Sequence, residues 1–135
     1  MNVISRMINL ASITTGVDYE LELTKDDLEL VRNHMDLCEL NDLEIKYTFS
    51  ENNIFHKTYD VSITISANYR IISGENNECS ETVLSSDTFV TTLLDKNITN
   101  ISKDVMRDMD IELISNNQFD IADLAIQHLS LMLYM

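Results

Sequence analysis

Apolar and polar residues alternate along much of this chain. Val17, Tyr19, Leu21 and Leu23 alternate with Asp18, Glu20, Glu22 and Thr24, and Leu43, Ile45, Tyr47 and Phe49 with Glu44, Lys46, Thr48 and Ser50. Tyr59, Val61, Ile63, Ile65 and Ala67 do the same with Asp60, Ser62, Thr64 and Ser66, in a pattern that can run on through Ile71. Successive side chains of a strand point to opposite faces, so each stretch predicts a strand with one apolar and one wet face. Strands of that kind build an antiparallel sheet covered on one side. Shorter strands are predicted over 82–84, 88–94 and 111–114.

Two segments change period. Thr24, with Asp27 three positions on, has the spacing of a capping box, and Leu28, Val31, Met35 and Cys38 then recur at helical intervals. From Asp120 onward Ile121, Leu124, Ala125, His128, Leu129 and Met132 form an apolar stripe, with Asp120 and Asp123 where a helix dipole favours negative charge. The asparagine pairs Asn52-Asn53, Asn76-Asn77 and Asn116-Asn117 mark loops, because Asn tolerates left-handed backbone. With no linker, repeat or low-complexity tract, the expectation is one domain over 1–135. Its class is α+β: a mainly antiparallel sheet, one internal helix and a C-terminal amphipathic helix.

Composition narrows the function. The 135 residues hold 9 Lys+Arg against 23 Asp+Glu, a net charge of −14. The acidity is even, with 12 acids and 5 bases up to Ala67 and 11 and 4 after it. Such a surface repels phosphate backbones and anionic lipids, which argues against sequence-independent nucleic-acid binding and favours a basic partner or a small ligand. Only Gly16 and Gly74 are glycines and proline is absent. Dinucleotide-binding, Walker A and nucleophile-elbow loops all need closely spaced glycines, so those enzyme classes are excluded. No apolar run is long enough to span a membrane. Arg6 and Asn9 interrupt what would be the apolar part of a signal peptide, so the expected location is the cytoplasm. There, Cys38 and Cys79, 41 residues apart, read as two free thiols. For the same reason the glycosylation patterns at Asn97 and Asn100 carry no weight.

Candidate chemistry is sparse. His34 and Cys38, four apart on the first helix, could offer two ligands, but zinc needs at least three and His56 and His128 lie in unrelated contexts. The plainer reading makes Cys38 a buried helix-face thiol and His34 a surface residue. His128 has no Ser or Cys nucleophile paired with it, which makes it a structural or interfacial histidine. Asp104, Asp108, Asp110 and Glu112, with Arg107 among them, could attract a divalent cation. They lack the spacing of a calcium-binding loop and read as a solvated acidic face. No metal or cofactor is expected.

Three stretches together resemble the YceD family, bacterial and plastid proteins described as large ribosomal RNA subunit accumulation proteins. Ile4-Ser5-Arg6-Met7-Ile8 is similar to the family's Ser-Arg-x-Ile opening. Asn77-Glu78-Cys79-Ser80-Glu81-Thr82 is similar to its Gln-x-Cys-x-x-Thr segment, which follows a long β region. The run from Asp120 to Leu133 resembles its Asp-Leu-x-Glu-Leu-x-x-Glu-Gln-Leu-x-Leu-x-Leu helix in unbroken register, with Gln127 in place of Glu and His128 in place of Gln. The matched positions are Ser5, Arg6, Cys79, Thr82, Asp120, Asp123, Leu124, Gln127, His128 and Leu129. The family's proline after Cys-x-x-Thr is absent, and the chain stops at Tyr134-Met135 where relatives continue into a proline-containing tail.

The resemblance implies a non-enzymatic cytoplasmic factor needed for accumulation of large-subunit ribosomal RNA, and so for ribosome biogenesis. Because a −14 protein is a poor direct ligand of RNA, the expected partner is a basic ribosomal protein or ribosome-assembly enzyme. The matched residues can serve structure: Arg6 as an anchor, Cys79 and Thr82 at a strand turn, Asp120 as a helix N-cap. Two other readings stand beside this one. One is an acidic protein-interaction module unrelated to ribosomes, offering a strand edge. The other is an enzyme using His128 or the carboxylates from Asp104 to Glu112.

Overall fold

In the computed structural model, residues 3–52, 58–73, 76, 78–95 and 111–134 are described. Strands β3 (Leu37–Glu51) and β4 (Tyr59–Ser73) are fifteen residues each and form the centre of the fold. They pair antiparallel, Ile45 opposite Ile65 and Phe49 opposite Val61, so their apolar positions fall on one face. β6 (Val83–Asp95) pairs antiparallel with the other side of β4. β2 (Asp18–Glu20) lies on the far side of β3, and β5 (Glu78–Cys79) makes a short pairing with the end of β4. β7 (Ile111–Ile114) completes the sheet beside β6. A second, two-stranded sheet joins β1 (Met7–Asn9) to β8 (Gln118–Asp120). This is the α+β architecture expected from the alternating pattern.

The apolar face of the sheet is buried under two helices. Ile45, Phe49, Val61, Ile63 and Ile65 are fully covered and share one core with Val31 of α1 (Lys25–His34), with Met35 at its C-cap, and with Ile121, Ala125 and Leu129 of α2 (Ile121–Tyr134). Burying an aliphatic or aromatic side chain of this size contributes about 1.5–3 kcal/mol, so this layer is the main source of stability. The opposite face carries hydroxyls in cross-strand pairs, Thr64 with Thr88 at 2.8 Å and Ser66 with Ser86 at 3.0 Å.

Several elements differ from their sequence expectations. The capping box is present, since the Thr24 side chain accepts from the Asp27 N–H and the Asp27 carboxylate accepts from the Thr24 N–H. α1 nevertheless ends at His34. Asp36 takes a left-handed backbone (φ 53°), the chain reverses, and Leu37 opens β3. Cys38 therefore lies on a strand, half-buried, not on a helix face. The two short strands expected over 82–84 and 88–94 are one continuous β6. Ser85, Ser86 and Asp87 interrupt the apolar pattern without interrupting the ladder, because they sit where the sheet margin is exposed or half-exposed. β7 runs parallel to β6. The Asn116-Asn117 turn is as expected: φ values of 56° and 58° make a two-residue hairpin turn closed by Gln118 N–H to Ser115 O at 3.1 Å. Asn53, His56, Asn77, Asn97, Asn100, Asp104, Arg107, Asp108 and Asp110 lie outside the described residues.

The two cysteines also depart from expectation. Cys38 and Cys79 have Cα atoms 5.7 Å apart and are joined as a disulfide, not left as free thiols. Their 41-residue separation conceals this, because the β4–β5 turn brings Cys79 back beside the first residues of β3. Purified without reductant, the protein should show no titratable thiol, and two after reduction in denaturant. Replacing Cys79 by Ser should lower the unfolding free energy by about 2–4 kcal/mol, a loss that disappears when wild type and variant are compared in reductant.

Candidate functional site

The N-terminal motif and the C-terminal helix, far apart in sequence, meet at one carboxylate. β1 pairs with β8 in the register Met7 to Asp120, which delivers Ser5 and Arg6 to the first turn of α2. Asp120 Oδ1 accepts from the Arg6 backbone N–H at 2.9 Å and from the Asp123 N–H at 3.1 Å. Its Oδ2 accepts from the Ser5 hydroxyl at 2.6 Å. The Arg6 carbonyl in turn accepts from the Ile121 N–H at 3.1 Å. An N-terminal helix turn leaves its first N–H groups without intrahelical partners, and here Asp120 and Arg6 satisfy two of them.

The arginine side chain extends the same network to α1. Arg6 Nη2 donates to Asp27 Oδ2 at 2.6 Å, while Nη1 donates to the Ser5 carbonyl at 2.7 Å. Asp27, the capping residue of α1, is buried. The Thr24 N–H, above all, holds its carboxyl below the usual carboxylate range. Partial desolvation opposes that, and the Thr24 side chain and the Arg6 guanidinium reinforce it. Four of the motif positions, Ser5, Arg6, Asp120 and Asp123, thus belong to one polar node that ties the N-terminus to both helices. Arg6 bridges the N-terminal stretch to α1, and Asp120 accepts from the N–H of Asp123 in the first turn of α2.

The remaining motif residues divide by location. Leu124 and Leu129 are buried in the core. Gln127 Nε2 donates to Asp123 Oδ2 at 2.9 Å, at the mouth of a groove of about 320 Å³ that Val3, His34, Ile126 and Leu131 also line. His128 stacks flat on Phe89 of β6, with ring centroids 3.3 Å apart, so α2 grips the sheet through an aromatic contact there. Cys79 and Thr82 lie elsewhere, on β5 and in the segment leading into β6; Cys79 is tied to Cys38 and Thr82 is exposed. The structure does not bring them to the Asp120 node. His34 is exposed and Cys38 is committed to the disulfide, so that pair is no metal site. Among the described residues no cluster of His, Cys, Asp or Glu could hold a metal ion. The Arg6–Asp27 pair was hidden in the sequence: the capping box signalled Asp27, but nothing local signals its partner 21 residues upstream.

Electrostatics reinforce the acidic reading. Arg6, Arg32, Lys46 and Arg70 are each paired with a carboxylate, of Asp27, Glu29, Glu44 and Glu39 respectively. Lys46 sits on the polar face of the sheet, in a shallow groove of about 340 Å³ lined also by Asp18, Glu20, Thr48 and Thr64. Its hydrogen bond to Glu44, and then the charges of Glu44, Glu20 and Asp18, hold its proton above the ordinary lysine range. These cations are spent internally, and the excess carboxylates define the outward field. The chain matches no protein-family model, no curated protein and no solved structure.

Asp120→Ala should lower the unfolding free energy by about 2–3 kcal/mol, combining a lost cap with lost charge-assisted hydrogen bonds, whereas Ser5→Ala should cost about 1 kcal/mol or less. Denaturant titration of both variants checks this. Because the folded-state pKa of Asp27 is depressed, its stabilisation is present above the unfolded value near 4 and is lost as pH falls through the folded value. Asp27→Asn should therefore flatten the acid limb of the stability–pH curve below about pH 4 and lower stability at neutral pH.

Proposed function

We propose that this protein is a non-enzymatic factor supporting accumulation of large-subunit ribosomal RNA, and hence ribosome biogenesis, through a basic protein partner. The observation that carries the reading is the Asp120 node. Two stretches that resemble the YceD family at opposite ends of the chain, Ser5-Arg6 and the helix beginning at Asp120, are joined by direct hydrogen bonds. Residues uninformative singly form one architectural unit, and that supports reading the two stretches together. The partner's sign follows from charge: a net charge of −14 disfavours contact with RNA phosphates and favours a basic ribosomal protein or a basic assembly enzyme.

A cytoplasmic site of action belongs to this proposal. Among the described residues no helix is long and apolar enough to cross a membrane. In a reducing cytoplasm Cys38 and Cys79 would stand as neighbouring thiols, since disulfides persist mainly in oxidising compartments. A second reading, an acidic interaction module unrelated to ribosomes, is favoured by one observation, the exposed margin of β6 around Leu84 and Val90. The two are separated by what the protein retains.

Depleting the protein from its native cell should reduce large-subunit ribosomal RNA and shift the ratio of free subunits on a sedimentation gradient; unchanged profiles would remove the ribosomal reading. Co-purification at 0.01 M salt should recover basic ribosomal or assembly proteins that are lost at physiological ionic strength, as the Debye length falls from about 30 Å to about 8 Å.

A further inference from the structure

The two margins of the main sheet are built differently. On the β3 side the ladder carries register shifts between Leu37 and Glu39 and between Leu40 and Asp42, β2 covers Lys46, Tyr47 and Thr48, and α1 packs alongside. Bulges and covering segments are how sheets block unwanted strand addition. Among the described residues, β6 has neither a bulge nor a covering segment over 83–91. Its pairing with β4 runs without a register shift, and on its outer side β7 reaches only Thr92, Leu93, Leu94 and Asp95. Among the described residues, no strand lies beside 83–91. Nine residues at about 3.3 Å each leave an edge roughly 30 Å long.

One protective residue stands on this edge, the helix-side Asp87. The edge contains no proline, lysine or arginine, and its single charge is Asp87. Leu84 is 76 % exposed and Val90 54 % exposed on the face away from the helices. Asp87, on the other face, bends its Oδ1 to accept from the Thr88 N–H at 2.9 Å, a local cap that an added strand displaces, freeing both the backbone donor and the carboxylate. A long, regular, partly apolar edge with one local carboxylate is a template for a further strand.

We infer that residues 83–91 of β6 receive an extended segment of a basic protein as an added strand. The occupant is chosen by charge. A second copy laid antiparallel across the whole of 83–91 would set Asp87 directly opposite its twin, in addition to the repulsion between two −14 bodies. A cationic strand instead places a lysine or arginine opposite Asp87, while its alternate side chains lie beside Leu84 and Val90. The inference rests on the reading above for the basic character of the partner, and it adds the surface and the mode of contact.

The test uses the full chain and a nine-residue peptide alternating lysine and valine, with hydrogen exchange as the readout. At saturating peptide, the outward-facing amides of 83–91 should slow by about tenfold while the β3 margin is unaffected. Asp87→Lys should weaken binding about fivefold, the scale of reversing one cross-strand charge pair. A peptide with a central proline should give no protection, since it cannot complete the ladder. The inference is overturned if 83–91 shows no slowing, if the proline peptide protects equally, or if a glutamate–valine peptide binds as well as the lysine–valine one. Protection that arises without peptide and follows a monomer–dimer equilibrium in sedimentation would give the edge to a second copy and overturn the assignment too. None of these outcomes alters the ribosomal RNA measured on depletion, so the edge and the cellular role fail separately.

Discussion

The sheet's apolar face can be buried only if the C-terminal helix is held across it, and the Asp120 carboxylate does the holding. The two oxygens of that carboxylate engage the Ser5 hydroxyl, the Arg6 N–H and the helix's own Asp123 N–H. Each bond is modest by itself, about 1 kcal/mol net or somewhat more when charge-assisted. Their effect is positional: they set where α2 starts, and Ile121, Ala125 and Leu129 then join the same core as Ile63, Ile65 and Phe49. Arg6 carries the same constraint to α1 through Asp27, so both covering helices are placed by one N-terminal strap.

This division of labour explains why some of the fold was legible in the sequence and some was not. The strands β3 and β4 announce themselves because one face is apolar and the other wet, and a period of two follows directly. α2 is equally plain, since its stripe must meet the same core. The end of α1 was not legible, because Met35 and Leu37 are both buried, one from the helix and one from the strand, and together they imitate a continuing helical period. Only the left-handed Asp36 between them breaks it, and an aspartate carries no obligatory signal of that conformation. β6 was divided in the sequence reading for the opposite reason. Ser85 and Asp87 occupy positions of the helix-facing side that the helices do not fully cover, so polar residues are tolerated there.

Contacts between distant segments were the least legible. The Cys38–Cys79 bond, the Arg6–Asp27 pair and the β1–β8 pairing all join residues whose neighbourhoods in sequence are unrelated. The three stretches picked out in the sequence carried no sign that Ser5 and Asp120 touch or that Cys79 stands apart from them. Geometry divides the motif into a node that fastens the helices, core positions such as Leu124 and Leu129, and a cysteine–threonine segment at the approach to β6.

That last segment bears on function. The node and the core are inward-looking and leave little surface for a partner, whereas the segment after Cys79 leads into β6, along whose 83–91 margin no strand lies among the described residues. The pairing of β5 with the end of β4 places the turn from which β6 departs, with Cys38 and Cys79 adjacent there. Acidity alone would attract basic proteins anywhere on the surface, with little orientation. A regular strand edge adds backbone donors and acceptors at fixed spacing, and so converts diffuse attraction into a defined register. Under the proposed reading, charge selects the class of partner and the edge decides where it lies, which gives a small acidic domain a route to specificity.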